Sequence, residues 1–140
     1  MVAAPRAAIF DLIADPARQP EWDANDNLAS ADPGQRVRAI GDVFTMRLTR
    51  SGAVRENRVV EFDEGRLIAW NPAEVGGTPP GHLWRWQLSD VDGGTRVVHT
   101  YDWTALTDPH RVVRARSTTA DKLAASIDRL AALVETDARR

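Results

Sequence analysis

Hydrophobic and polar positions alternate with a period of two from His82 to Ser89 and again from Thr95 to Trp103, with Asp92-Gly93-Gly94 between them. Successive side chains on a strand point to opposite faces, so this pattern predicts two strands joined as a hairpin. One face collects His82, Trp84, Trp86 and Leu88, together with Val97, His99, Tyr101 and Trp103. The other collects Leu83, Arg85 and Gln87 with Arg96, Val98, Thr100 and Asp102. Three of the five tryptophans, the single tyrosine and two of the three histidines therefore share one side of one hairpin. That face reads as the wall of an aromatic pocket with a few polar handles.

Upstream, Pro5 opens a helical pattern that places Ile9, Leu12 and Ile13 on one face. Asp15-Pro16 ends it, because the residue before a proline is pushed out of the α region. Pro16 then suits the first turn of a second short helix running toward Trp22. Strands are predicted weakly around Asn27–Ser30, over Gly41–Leu48 with Phe44, Met46 and Leu48 on one face, and over Val54–Asp63 and Leu67–Asn71, which pair about Asp63-Glu64-Gly65. Val75–Gly81 has the composition of a loop. Near the C-terminus Thr118 and Asp121 have capping-box spacing. Leu123, Ile127, Leu130, Ala131 and Val134 fall at i, i+4, i+7, i+8 and i+11, one apolar stripe with Arg129 on the outer side. A helix from Thr119 to Glu135 would be about 25 Å long at 1.5 Å per residue. Arg111, Arg114 and Arg116 lead into it and read as a solvated face. The order of elements gives an α+β class.

At 140 residues the chain suits one domain spanning 1–140 that buries roughly two-thirds of its unfolded surface. A net charge of −2 and the lack of a dominant basic stretch argue against a nucleic-acid partner. The absence of cysteine excludes disulfides, thiol catalysis and a cysteine zinc site. His82, His99 and His110 lack helical metal-ligand spacing, so no metal and no cofactor are expected. With neither a charged-then-apolar leader nor an apolar run near about 18 residues, no membrane span and a cytoplasmic location are expected.

Geometry suggests a hollow. Six strands about 4.8 Å apart make a sheet roughly 25–29 Å wide, whereas one helix with its side chains is only about 10–12 Å across. The sheet must curl round the C-terminal helix, and the short N-terminal helices can plug one end. The space left is either filled by large side chains or open.

The opening Val2-Ala3-Ala4-Pro5-Arg6-Ala7-Ala8-Ile9-Phe10-Asp11-Leu12-Ile13-Ala14-Asp15-Pro16 with Glu21-Trp22 resembles the polyketide cyclase/dehydrase and START-like ligand-binding (SRPBCC) superfamily. Gly93-Gly94-Thr95-Arg96-Val97, Tyr101-Asp102-Trp103 and Ser126-Ile127-Asp128-Arg129-Leu130 are similar to the same pattern, so the resemblance covers essentially the whole chain. It implies a helix-grip fold, a curved antiparallel sheet of about six strands wrapped round a long C-terminal helix, with two short N-terminal helices and a hydrophobic cavity. In such folds a full strand precedes the Ala-Pro motif. Here only Met1-Val2-Ala3 stands in its place, so the first strand is expected to be largely absent. The outer edge of Thr95–Trp103 should then be bare, which invites an edge-to-edge homodimer unless the natural chain begins upstream.

The ligand-contact candidates are Trp22, Trp70, Trp84, Trp86, His99, Tyr101 and Trp103. Each also has a plain structural role: a tryptophan fills core, and a buried His or Tyr is satisfied by backbone or water. Trp22 and Trp70 suit either the mouth of a pocket or a staple between helices and sheet. Asp23 and Asp26 follow Trp22 and read as turn-forming rather than as a catalytic pair. No residue is assigned a catalytic role, because no third group orients His99 or Tyr101 in the sequence. Three functions stay open: a binder of a small hydrophobic or aromatic molecule, a cyclase or dehydratase using His99 and Tyr101 on an aromatic polyketide-like substrate, and a protein-interaction module whose cavity is packed shut.

Overall fold

The computed structural model describes residues 1–138. Helix α1 (Arg6–Ala14) and the short helix α2 (Gln19–Trp22), separated by a 3-10 turn at Pro16–Arg18, precede six strands. These are β1 (Leu28–Ser30), β2 (Val43–Leu48), β3 (Val54–Asp63), β4 (Leu67–Glu74), β5 (Leu83–Val91) and β6 (Gly94–Asp102). Helices α3 (Pro109–Arg116) and α4 (Ala120–Ala138) follow. The strands form one antiparallel meander in sequence order, β1 to β6. A bulge at Val60, between the pairs Val59–Trp70 and Glu61–Ala69, adds twist where the sheet curls. This is the curved sheet with a C-terminal helix that the sequence predicts.

The concave face carries the core. Phe44, Met46, Val59, Ile68, Trp70, Trp86 and Leu88 are buried, and their neighbours along each strand are mostly more exposed, as period-two alternation requires. Helix α4 packs on β6, α1 and α2. Its buried ridge is Ser126, Leu130 and Val134, with Ile127 and Ala131 half-buried beside it. Ser126 is a polar residue in that ridge because its hydroxyl accepts from the Ala24 amide at 3.0 Å. The segment after α2 is thereby fastened to α4.

Four expectations need correction here. Strand β4 continues through Pro72 to Glu74 instead of stopping at Asn71. Its pairing with β5 ends at Trp70–Trp84, and the Arg66 carbonyl that accepts from Leu88 sets the parity. The missing Pro72 amide therefore falls on the side where no ladder bond is made. The chain ahead of the last helix is itself a helix, α3, begun by Asp108, whose carboxylate accepts from the His110 amide at 2.9 Å, and by Pro109 at the first helical position. Helix α4 starts at Ala120, so Thr118 lies one residue ahead of the N-cap position.

Arg129 is the fourth. Its guanidinium donates to the Asp23 carbonyl at 2.9 Å and pairs with Asp26 at 3.0 Å, so it does not stand idle on the outer side. Asp26 has φ 53°, a left-handed conformation that Asp tolerates better than most residues. Asp23 accepts from the amides of Asn25, Asn27 and Leu28, which makes it a turn-former as expected.

At the sheet edge, Val2 exchanges two 2.8 Å backbone hydrogen bonds with Thr95. Gly94 permits this, since a Cβ there would collide with the Val2 carbonyl. By the two-residue repeat of the ladder, the outward amides and carbonyls of Val97, His99 and Tyr101 have no backbone partner among the described residues.

Leu130→Ala should cost roughly 2–5 kcal/mol in urea unfolding, as core truncations do. Arg129→Ala should cost about 1 kcal/mol, because two backbone-ordering contacts are lost at a half-exposed site. Equal midpoints for the two variants would mean that the ridge does not face the sheet; an unchanged midpoint for Arg129→Ala would mean that its contacts are inert.

Candidate functional site

The hairpin β5–β6 builds one wall. Its register pairs Trp84 with Tyr101 and Trp86 with His99. Thr95 points its own amide and carbonyl outward to Val2, so Thr95, Val97, His99 and Tyr101 all sit in non-hydrogen-bonded pairs with β5. Side chains in such pairs lie closest together, with Cα atoms about 4.5 Å apart. The rings accordingly stack. Trp86 and His99 have centroids 3.6 Å apart at 12°, and Trp84 and Tyr101 4.0 Å apart at 14°. Trp84 also overlaps His99 at 5.6 Å, so four rings form a continuous row.

Between this wall, the concave face of β2–β4 and helices α2 and α3 lies a hollow of about 500 Å³. Its lining is graded along the strands. Trp86 lies deepest, the row Trp70, Trp84 and Tyr101 comes next, and Arg55, Glu74 and His82 lie furthest along their strands, with Met46 opposite Arg55. The gradient follows from alternation: Arg55 and Asn57 continue the Val59 face of β3, and Glu74 and Pro72 continue the Trp70 face of β4. Beyond Trp70 and Trp84 the strands β4 and β5 are no longer paired, and Asn71 Nδ2 spans the gap to the His82 carbonyl at 2.8 Å.

The expected contact residues divide. Trp84, His99 and Tyr101 are half-buried and present ring surface to the hollow. Trp22 and Trp70 border it but are almost wholly packed. Trp22 donates Nε1–H to the Leu12 carbonyl at 2.8 Å and meets Trp86 edge-on, while Trp70 meets Phe44 edge-on. Trp86 is fully buried under His99 and Trp22, so it backs the wall rather than facing the space. Trp103 is not brought to the site. Strand β6 ends at Asp102, whose carboxylate accepts from the Thr104 amide and hydroxyl and turns the chain away, so the alternation that placed Trp103 on the inner face stops one residue too soon.

Helix α3 adds what the sequence pattern had assigned to solvent. Arg111 and Arg114, one turn apart, border the open end, and Arg111 lies 3.5 Å from Glu74. Two consecutive signals mark this helix: the Asp108-Pro109 start and the i, i+3 spacing of the two arginines.

Electrostatics here favour neutral imidazoles. Burial lowers the His99 pKa to about 4, opposed by its contact with the Leu123 carbonyl. That carbonyl lies 3.5 Å from Nδ1 and can only accept, which puts the proton on Nδ1 and leaves Nε2 as an acceptor. His82 is also lowered to about 4, first by burial and then by the positive charges of Arg111, Arg55 and Arg114. Burial raises the Tyr101 phenol, with Arg114 opposing. His82 Nδ1 and Trp86 Nε1 are buried polar atoms without a hydrogen-bond partner. No group of three or more His, Cys, Asp or Glu among the described residues has the arrangement of a metal site.

A family model described as "Polyketide cyclase / dehydrase and lipid transport" matches residues 1–135. Among curated proteins, the uncharacterized protein Rv0088 of Mycobacterium tuberculosis strain H37Rv is 29% identical over 107 residues, which is 74% of this chain and 45% of that relative. The chain thus spans less than half the length that the relative has. Among solved structures, protein NE0264 of Nitrosomonas europaea superposes with a TM-score of 0.73 at 14% identity, covering 99% of this chain and 92% of that one. The di-domain ARO/CYC StfQ of the steffimycin biosynthetic pathway gives a TM-score of 0.64 at 22% identity, over 99% of this chain and 44% of that one. At these identities the superpositions speak for the fold alone.

The histidines make stability pH-dependent. Their folded pKa values of about 4 lie below the 6.5 usual for histidine, so the unfolded chain binds protons first as pH falls. Their contribution is complete above about pH 6.5 and is lost progressively down to about pH 4, on the order of 1–3 kcal/mol for each. His99→Phe, which keeps a ring in the stack and removes the titration, should flatten this loss in urea midpoints between pH 7 and 4.5. A wild-type midpoint with the same pH slope as His99→Phe would show that His99 is not buried in its neutral form.

Proposed function

The chain belongs to the polyketide cyclase/dehydrase and lipid transport family, and from that premise we propose that it holds one small, largely apolar or aromatic molecule between its sheet and its helices. The observation that carries this reading is the row of stacked rings facing a hollow of about 500 Å³. Flat side chains locked by cross-strand pairing offer a rigid apolar surface, so little side-chain entropy is lost when a flat ligand settles on it. Trp84, His99 and Tyr101 touch the ligand; Trp22, Trp70 and Trp86 fix the rings behind them. A hollow of this size supports a binder over a module with a packed-shut cavity. The whole chain acts as one domain, the site needs no cofactor, and its place of action is the cytoplasm. No helix among the described residues is long and apolar enough to cross a membrane.

A second reading is favoured by the state of His99. A neutral imidazole with Nε2 free can take a proton from the carbon beside one carbonyl, and the Tyr101 hydroxyl can donate to the second carbonyl that this carbon attacks; the hydroxyl so formed then leaves as water. That is the chemistry of a cyclase or dehydratase. It differs from simple binding in its product, so mass analysis of an aromatic β-keto substrate after incubation separates the two.

A flat aromatic probe such as anilinonaphthalene sulfonate should quench tryptophan emission with affinity on the order of micromolar. Tyr101→Phe should weaken ligands with a polar group by about 5- to 10-fold and leave apolar ones unchanged, because only the former use the hydroxyl. If neither emission nor melting temperature responds to a broad set of such probes, the packed-shut module is the better reading.

The unpartnered edge of β6 supports a further element of this proposal, a homodimer that pairs two such edges. Val98, 37% exposed on the convex face, would be covered on pairing. Light scattering should give a dimer mass for the wild type and a monomer mass for Val98→Lys; a wild-type monomer at millimolar concentration with rapid amide exchange along β6 would contradict it.

A further inference from the structure

The open end of the hollow is positively charged in a way that neither the fold nor the family reading requires. Five cationic side chains border the hollow: Arg50, Arg55, Arg111, Arg114 and Lys122. Two carboxylates stand among them, and both are occupied. Asp23 accepts from three backbone amides and from Asn25 Nδ2. Glu74 faces Arg111, and its backbone carbonyl accepts from the Gly77 amide in a turn. Among the described residues, only Arg111 of these cations has a carboxylate partner, in Glu74 and Asp108. The guanidinium groups of Arg55 and Arg114 make no hydrogen bond or ion pair among the described residues.

These two arginines come from different elements to one place. Arg55 continues the concave face of β3 outward from Asn57, opposite Glu74. Arg114 rises from α3, one turn after Arg111. Both line the same hollow as His82 and Arg111, and His82 meets the Tyr101 ring edge-on at 6.1 Å. His82 Nδ1 is buried there without a partner. Unneutralised guanidinium groups gathered at one end of an apolar hollow repel one another and gain most from a shared anion, to which each offers a charge-assisted hydrogen bond.

Resting on the ligand-binding reading above, we propose that the ligand is an amphipathic anion: its flat apolar body lies on Trp84 and His99, and its carboxylate or phosphate sits at the open end between Arg55 and Arg114. Binding is head-outward, with the charge near water and the apolar part inside. The charge of the lining sets this direction, since the guanidinium groups stand at the open end and Trp70 and Trp86, deeper in, carry no charge. Arg111, already shared with Glu74 and Asp108, shapes the positive field without being the first contact. The neutral His82 sits beside the anion as a hydrogen-bond donor.

Titration calorimetry with 2-naphthoate, 2-naphthyl phosphate and methyl 2-naphthoate tests the proposal, the ester having the same ring system and no charge. The wild type should bind at least one of the two anions about 10-fold or more tightly than the ester, and the better anion tells carboxylate from phosphate. Raising sodium chloride from 50 to about 500 mM should weaken the anions and leave the ester unchanged, because only the charged contact is screened. Arg55→Gln with Arg114→Gln, both at non-core positions and checked by thermal melting, should cost the anion about 10-fold or more and the ester less than 2-fold. Equal wild-type affinity for ester and anions, or an equal loss of both in the double variant, would overturn the anionic head while leaving the apolar cavity standing. Absence of binding by all three would overturn both. The salt series needs no variant, so it decides the question even where the double substitution impairs folding.

Discussion

The structure depends on the parity of the β5–β6 ladder. Because Thr95 turns its hydrogen-bonding groups outward to Val2, every inward-facing residue of β6 falls in a non-hydrogen-bonded pair with β5. Such pairs bring side chains closest, and here they bring together Trp84 with Tyr101 and Trp86 with His99. A register shift of one residue would expose all four rings and turn Arg85 and Arg96 inward. Aromatic pairs of this kind contribute about 0.5–1.5 kcal/mol beyond their area. Their larger effect is to hold a flat, rigid wall in place.

The wall matters because α4 cannot cover the sheet. It packs on β6, α1 and α2, and the strands β2 to β4 curl away from it past the bulge at Val60. The N-terminal helices close one end: Trp22 hydrogen-bonds Leu12 and packs on Trp86, and Ser126 and Arg129 of α4 tie down the turn that follows. The opposite end stays open where β4 and β5 part beyond Trp70 and Trp84, and α3 lays Arg111 and Arg114 across it. Strand alternation thus supplies the apolar floor and Arg55, and helix α3 adds the other arginines of the cationic rim.

Much of this was legible in the sequence. Period-two patterning located β3 at Val54–Asp63 with its observed bounds, and the hairpin faces followed from counting outward from Asp92-Gly93-Gly94. The stripe on α4 was legible too, although its buried ridge includes Ser126, whose hydroxyl is matched by a backbone amide that no periodicity reveals. Trp103 was misplaced because alternation carries no information about where a strand ends; the Asp102 turn does, and Asp followed two residues later by Thr was its only mark. The expected strand Leu67–Asn71 falls short of Glu74 because the ladder side of Pro72 depends on where β5 stops pairing, a long-range fact. Arg111 and Arg114 looked solvated because α3 has a polar composition, and only its position across the open end gives those charges a role. The family resemblance held over residues 1–135.

The central claim is that a ligand lies on the inner face of the β5–β6 hairpin. Tryptophan-labelled protein gives one indole nitrogen signal for each of five tryptophans, and assignment by single Trp→Phe variants separates them. On titration with 2-naphthoate the Trp84 signal should move saturably, Trp86 should respond less as the ring behind the wall, and Trp103 should stay still. Movement of Trp103 with Trp84 unmoved, or saturable binding that shifts no indole at all, would contradict the account.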